Sequence, residues 1–254
     1  DSGRSVGNLM ISEAIITGNG GGLYISNGGD INITLNALNA TGNYFGILLR
    51  KVTGPGLNIP GNVTINNSGG STDMIHLEEV YTTMVNIGTN TGSSVTLSNH
   101  TGHDAIEILY STAPIQFGSV TITNSTNGNG VNFHNNSGNL SFINGNMNIT
   151  TSSGTGIKAT TNTGNLTITG SGNKLTTSSG SALHMVNSLI GGSHLNFESI
   201  TASSGSAPAI VLDNTGPAGG LNVTGDNMNT SLGGNNSGGT IGGRTGSDGS
   251  TTSG

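Results

Sequence analysis

Cysteine is absent from the 254 residues, which removes disulfide frameworks, thiolate metal sites and cysteine nucleophiles from consideration. Charge is nearly as scarce. Lys and Arg number 6 and Asp and Glu 12, so 7% of the chain is charged and the net charge is -6. The basic residues Arg4, Arg50, Lys51, Lys158, Lys174 and Arg244 are scattered, which argues against a nucleic-acid or anionic-membrane partner. No stretch approaches the ~20 apolar residues that span a bilayer, and Asp1 opens the chain where a charged and then apolar leader would stand. The chain reads as a mature or excised segment. Hydrophobic residues make up only 31%, which suits a compact globule badly. Disorder suits it no better, because disordered chains usually carry high net charge and here the apolar residues are spread evenly. What remains is order built on a thin, repeated core.

Glycine is abundant, at 45 residues, and the chain repeats. TSSG at residues 151–154 recurs at 177–180 and, as ASSG, at 202–205, a step of 26 residues and then 25. After each of these turns comes an apolar pair separated by one residue: Ile157 and Ala159, Leu183 and Met185, Ile210 and Leu212. The same pair stands earlier at Leu23 and Ile25, Ile47 and Leu49, Ile75 and Leu77, Ile106 and Ile108, and Val131 and Phe133, giving eight copies. A second series follows the first: Ile31 and Ile33, Leu57 and Ile59, Val85 and Ile87, Ile115 and Phe117, Leu140 and Phe142, Leu166 and Ile168, Leu195 and Phe197, Leu221 and Val223. A third, looser series has Val63 and Ile65, Val95 and Leu97, Val120 and Ile122, Met147 and Ile149, and the single anchors Leu175 and Ile200.

Each pair has the period-2 signature of a strand, and Gly, Asn and Ser turns separate the pairs. A helix fails, because the apolar residues do not recur at i, i+3 and i+4, and Gly, Thr, Val and Asn are poor helix formers. An antiparallel sandwich competes, but it would not need one register held across eight copies. Three short strands per turn of roughly 24 to 31 residues bury their apolar side chains if successive turns stack as parallel strands around one axis. The expectation is an all-β chain of about eight coils forming a β-solenoid over residues 17–231. Residues 1–16 are expected to be an N-terminal cap or imperfect first coil, and the Gly/Ser/Thr-rich residues 232–254 a linker or inter-subunit arm.

The segments Val120-Thr-Ile122, Gly130-Val131-Asn-Phe133 and Leu140-Ser-Phe142 carry a resemblance. Over residues 9–230 the pattern resembles the Gly, Asn and Thr-rich parallel β-helix repeats of bacterial and archaeal surface proteins, such as adhesins and autotransporter-like passengers. The resemblance implies a right-handed parallel β-helix, in keeping with the chirality bias of parallel crossovers. It implies less about activity, since the same fold carries lyases, adhesins and inert spacers.

Stacking converts equivalent positions into columns. In the second strands the outward position reads Asn32, Asn58, Asn86, Gln116, Ser141, Thr167, Asn196 and Asn222, either a solvated face or an amide ladder that serves stability or lateral packing. In the first strands it reads Tyr24, Leu48, His76, Glu107, Asn132, Lys158, His184 and Val211, with Tyr24 and Leu48 a candidate contact edge. Acidic and imidazole groups concentrate in coils three and four. There Asp104 is expected beside Asp73, and Glu107 beside His76. Stacked carboxylates repel unless a cation bridges them or one takes up a proton, so Asp73, Asp104 and Glu107 form a candidate calcium site against the plainer reading of a solvated turn. No other cofactor is implied.

Catalysis is not expected. An acidic polysaccharide would need Arg or Lys among the acids, and by sequence Arg50 and Lys51 close an earlier coil, away from the acidic group. An ice-binding face is suggested by Thr64, Thr96 and Thr121 but broken by Asn148, Lys174 and Ser199. Asn-x-Ser/Thr sequons at Asn32, Asn39, Asn62, Asn66, Asn99, Asn124, Asn148, Asn165 and Asn222 permit glycosylation at a surface location. The expected function is that of a structural protein, secreted or at the cell surface, whose copies join end to end into a filament. The alternatives are an adhesin or passenger that binds surface glycans and, third, a polysaccharide lyase or hydrolase.

Overall fold

A computed structural model of the chain describes residues 7–12, 14–17, 21–42, 44–66, 72–226, 228 and 235–244. These residues form a parallel β-solenoid of about eight turns with no helix. The expected inward pairs of coils two to seven are all buried, each in contact with the pairs of the coils before and after it. Burying one such side chain contributes roughly 1.5–3 kcal/mol, so the core is a column of small contributions instead of one dense centre. The rings of Phe117 and Phe142 stack within it, 5.5 Å apart.

The strands are less separate than the repeat suggests. First and second strands belong to one 13-stranded sheet and third strands to an 8-stranded sheet. In four coils the first and second strands run on continuously, as Leu23–Leu35, Ile47–Ile59, Ile157–Ile168 and Leu183–Phe197. The reason is the corner between them, which one left-handed residue turns. Asn27, Lys51, Glu79, Tyr110, Asn135, Thr161, Asn187 and Asn214 all have φ between 49° and 56° and occupy this corner in eight successive coils. Asparagine tolerates that region best among residues with a side chain and takes it in four of the eight.

The next residue points inward. Val52 and Val80 fill this place in coils two and three, and Ser111, Asn136, Asn162 and Ser188 in coils four to seven, all buried. Each polar side chain accepts the backbone N–H of the coil before: Val80 N to Ser111 Oγ at 3.1 Å, Ser111 N to Asn136 Oδ1 at 2.8 Å, Asn136 N to Asn162 Oδ1 at 2.9 Å, Asn162 N to Ser188 Oγ at 3.3 Å. Asn136 Nδ2 also donates to the Ile108 and His134 carbonyls, and Asn162 Nδ2 to that of Phe133. The column satisfies groups that the corner takes out of the ladder.

The TSSG turns have a similar logic. Thr151 Oγ1 donates to the Gly154 carbonyl at 2.9 Å, and a Cβ at Gly154 or Gly180 would collide with the carbonyl oxygen of the turn beneath. The third series proves longer than the apolar pairs indicate. Ala14–Thr17 and Leu38–Thr41 are third strands too, and Leu175 and Ile200 share their inward faces with buried Thr177 and Ala202.

At the N-terminal end Gly7–Ile11 pairs with Ile31–Leu35 and Ala14–Thr17 with Leu38–Thr41, so these two segments supply second and third strands. At the other end residues 238–242 lie along Ser199–Ala202, with Ile200 N donating to Gly238 O and Ala202 N to Thr240 O. Arg244 reaches the carbonyls of Ser179, Gly180 and Ala207 at 2.9–3.2 Å. Thus residues 235–244 of the segment expected to be a linker or arm lie against the rod. Residues 1–6, 13, 232–234 and 245–254 of the expected terminal regions lie outside the described residues.

Candidate functional site

The acidic group of coils three and four is a network centred on His76. The register sets Glu107 opposite His76 and Ile106 opposite Ile75. His76 Nδ1 lies 2.9 Å from Asp73 Oδ2 and 3.1 Å from Glu107 Oε2, and Nε2 lies 3.4 Å from Glu78 Oε2. Burial works against a charged ring, but the hydrogen bonds that the ring donates to Asp73 and Glu107, the charge of Asp73 and the bond donated to Glu78 prevail and raise its pKa to about 10. His76 is therefore an imidazolium at neutral pH. The expected repulsion between stacked aspartates is relieved by other means as well: Asp104 N donates to Asp73 Oδ1 at 2.8 Å, and Asn129 donates to Asp104 Oδ1 from its backbone at 2.8 Å and its amide at 2.7 Å.

Arg50 corrects one expectation. Although it closes an earlier coil in sequence, register brings it opposite Glu78, with Nε 2.8 Å from Oε2. Arg50, Glu78 and His76 thus alternate in charge, and His76 branches to Asp73 and Glu107, in one network across coils two to four. Sequence distance hid this contact because one coil of chain separates residues that lie one strand spacing apart.

Of the three residues expected to hold calcium, Asp73 and Glu107 meet, and they do so around His76. Their ligand atoms and that of His76 lie within 4.8 Å of one another. Asp104 has one carboxylate oxygen committed to Asn129. Two carboxylates and one imidazole suit a zinc-like ion better than calcium, which takes 6–8 oxygen ligands, and any metal here would have to displace the proton that His76 holds.

His100, in the turn of coil four, is 1% exposed, and neither ring nitrogen has a hydrogen-bond partner among the described residues. Burial pushes its pKa down, and the His103 backbone and the carboxylates of Asp73 and Asp104 oppose this only in part. Two imidazoles of this region are thus driven in opposite directions.

The outward column of the second strands is interrupted twice. Asn32 faces Gly56, and Asn58 faces Thr34, because an irregularity at the corner of coils one and two shifts the register. Asn32 instead donates to Asn8 at 2.6 Å. A second shift in coil seven sets Ile168 opposite Leu195, which separates Thr167 from Asn196. Three runs result: Asn8 with Asn32; Asn58, Asn86, Gln116, Ser141 and Thr167; and Asn196 with Asn222. Amide contacts in them include Asn86 to Asn58 at 3.5 Å and Asn222 to Asn196 at 2.9 Å.

Tyr24 is exposed, faces Leu48 in register, and tilts against Phe45 with ring centres 5.6 Å apart. Asn32, Asn62, Asn99, Asn148 and Asn222 are exposed and Asn165 is half-buried. Asn99 Nδ2 donates to Asn66 at 3.0 Å and Asn222 Nδ2 to Asn196, bonds that a glycan on these nitrogens would disturb.

Two of the hollows among the described residues bear on a site. One of about 540 Å³ is lined by Asn146, Gly170, Asn196, Glu198 and Asp226 among others. Glu198 pairs there with Lys174 at 2.8 Å, and Asp226 accepts from Asn235 and Ser237. The other, of about 390 Å³, follows the left-handed corner from Tyr81 and Tyr110 to Thr161 and Thr163. Nothing in the sequence pattern singled out either one. No protein-family model, curated protein or solved structure matches the chain.

Proposed function

We propose that the protein is a structural element of the cell surface or extracellular space, built to extend along its axis by stacking of copies end to end. The observation that carries this reading is the contrast between the middle and the ends. Coils two to seven bury their inward apolar pairs, whereas the terminal strands expose large apolar side chains: Met10, Ile11 and Ile15 at one end, Leu212, Val223 and Ile241 at the other. Among the described residues the strands Gly7–Ile11, Ile210–Asp213 and Leu221–Val223 each have one strand neighbour, and Asp213 is their only charge. Nearly uncharged, proline-free edges of this kind template further parallel pairing. Joining one end to the other is heterologous and does not close, so it yields fibres.

The abundance of Asn, Ser, Thr and Gly with almost no Lys supports an extracellular setting on compositional grounds. The test is electron microscopy with sedimentation of the purified chain, beside a variant carrying Met10→Glu and Leu212→Glu, which sets like charges against each other at the joint. The expected result is fibres of constant width that the charged ends abolish. Separate short rods at high concentration, with both termini intact, would overturn the reading.

A further inference from the structure

We propose that the corner groove of coils three to six binds a neutral oligosaccharide. The groove is made of two adjacent columns on either side of the buried corner residues Ser111 and Asn136. The left-handed column contributes Tyr110, Asn135 and Thr161, and the column just past the corner contributes Tyr81, Thr112 and Thr163. At a coil spacing of about 4.8 Å the groove runs for about 14 Å, and it offers a new hydroxyl or amide at every step. That spacing is close to the rise of one pyranose ring in an extended glycan chain.

The chemistry of the lining selects the ligand class. Every lining residue is Tyr, Ser, Thr or Asn, so the groove presents no charged side chain to hold a phosphate, an acidic sugar or a metal. Tyr81 and Tyr110 are 45% and 49% exposed, and the Tyr110 ring meets the edge of His134 at 6.2 Å, which fixes the direction it faces. A tyrosine ring presents an apolar face with a polar rim, the counterpart of a sugar ring with its C–H face and equatorial hydroxyls. None of the hydroxyls of Tyr81, Tyr110, Thr112, Thr161 and Thr163 makes a hydrogen bond to the protein among the described residues, and all five side chains are exposed.

The backbone supplies an independent pointer. In the left-handed column asparagine is the low-cost occupant, and of the four other residues that take the place, Lys51, Glu79, Tyr110 at φ 51° and β-branched Thr161 at φ 56°, the last two lie in the groove. Such placements cost on the order of 1 kcal/mol each and cluster at functional sites. Beneath them the hydrogen bonds of Asn136 and Asn162 fix the floor, so the groove is formed before any ligand arrives. The larger hollow lacks these features: it has no exposed ring, and its acids are already paired.

The chain has no tryptophan and four tyrosines, of which Tyr81 and Tyr110 line the groove, so half of the tyrosine fluorophores report on it. Titration with cellohexaose, xylohexaose and mannohexaose, with hexagalacturonate as the charged control, is expected to show at least one neutral hexasaccharide quenching the signal and the control having no effect. Isothermal calorimetry would measure affinities for Tyr81→Ala, Tyr110→Ala and Thr163→Val, each checked for an unchanged melting profile, with Tyr24→Ala as the surface control. Either tyrosine change is expected to weaken binding by about tenfold or more, and Tyr110→Phe to restore most of it. Thr163→Val, which keeps the shape and removes one hydroxyl, is expected to weaken binding several-fold. The proposal is overturned if none of the three neutral sugars binds at millimolar concentration. It is equally overturned if Tyr81→Ala and Tyr110→Ala bind as tightly as the parent chain, or if the charged control is preferred. These outcomes are independent of whether the rods join end to end.

Discussion

Asn162 and Asn86 both belong to stacked polar columns, yet they occupy different worlds. Asn162 is 2% exposed and ties three consecutive coils together, accepting from Asn136 N and donating to the Phe133 carbonyl and Ser188 Oγ. Asn86 stands on the outer face and reaches Asn58 at 3.5 Å, in a column that register shifts cut into three. An amide that water can serve equally well contributes little, whereas one that satisfies buried backbone groups is expensive to remove. What matters about a ladder is therefore which side of the strand it lies on.

The comparison can be broken from the inside first. Asn162→Ala would strand the Asn136 N–H and the Phe133 carbonyl, and a loss of about 3 kcal/mol is expected in urea unfolding. A loss below about 1 kcal/mol would show that water enters the corner and that the two columns are equivalent. Asn162→Val installs the residue type that coils two and three use at this place, Val52 and Val80. It refills the volume but not the hydrogen bonds, so a smaller loss of about 2 kcal/mol is expected.

The charged face of the first strands gives a sharper test through pH. His76 has its pKa raised to about 10 in the fold, so its contribution is fully present below the unfolded value near 6.5 and is lost as pH rises toward 10. His100 has its pKa lowered, so the unfolded chain takes up its proton first and stability falls as pH drops below about 6.5. Melting temperature against pH is expected to peak near neutrality. His76→Gln should flatten the alkaline limb, an effect of roughly 1 kcal/mol, and His100→Phe the acid limb. The smallest effect belongs to the outside: Asn86→Ala is expected to change stability by less than about 0.5 kcal/mol.

The parts of the fold that rest on alternation were legible. Ile75 and Leu77, or Val131 and Phe133, announce an inward face because side chains of a strand alternate, and one face must be dry. The same rule was silent about corners. The pairing of Asn32 with Asn58 failed because apolar spacing does not record how many residues a bend absorbs, and one irregular corner moved the whole second strand along. The inner column was in fact visible in principle: Ser111, Asn136, Asn162 and Ser188 each stand three residues after the second apolar residue of their first strand, as do Val52 and Val80. A fixed offset shared by valine and asparagine signals an inward place, but polar letters between strands invite a reading as solvent-facing turns. At the charged site, the alignment of Glu107 with His76 and of Asp104 with Asp73 was legible, and it grouped the carboxylates Asp73 and Glu107. The role of His76 as the cation between them was not, because it depends on proton affinity set by burial and by three carboxylates at once.

Because strand pairing joins each coil of this rod to the one before and the one after, tension has a simple path. Pulling the two ends away from each other along the axis loads the outermost strand alone, and the hydrogen bonds between coils break in succession, as in a zipper. A freed coil of 26 residues, the step between Asn136 and Asn162, releases about 90 Å of chain at full extension. Stretched between two anchors, the molecule would let out slack in such steps and retain its remaining coils intact, which makes its length under load a count of the turns still closed.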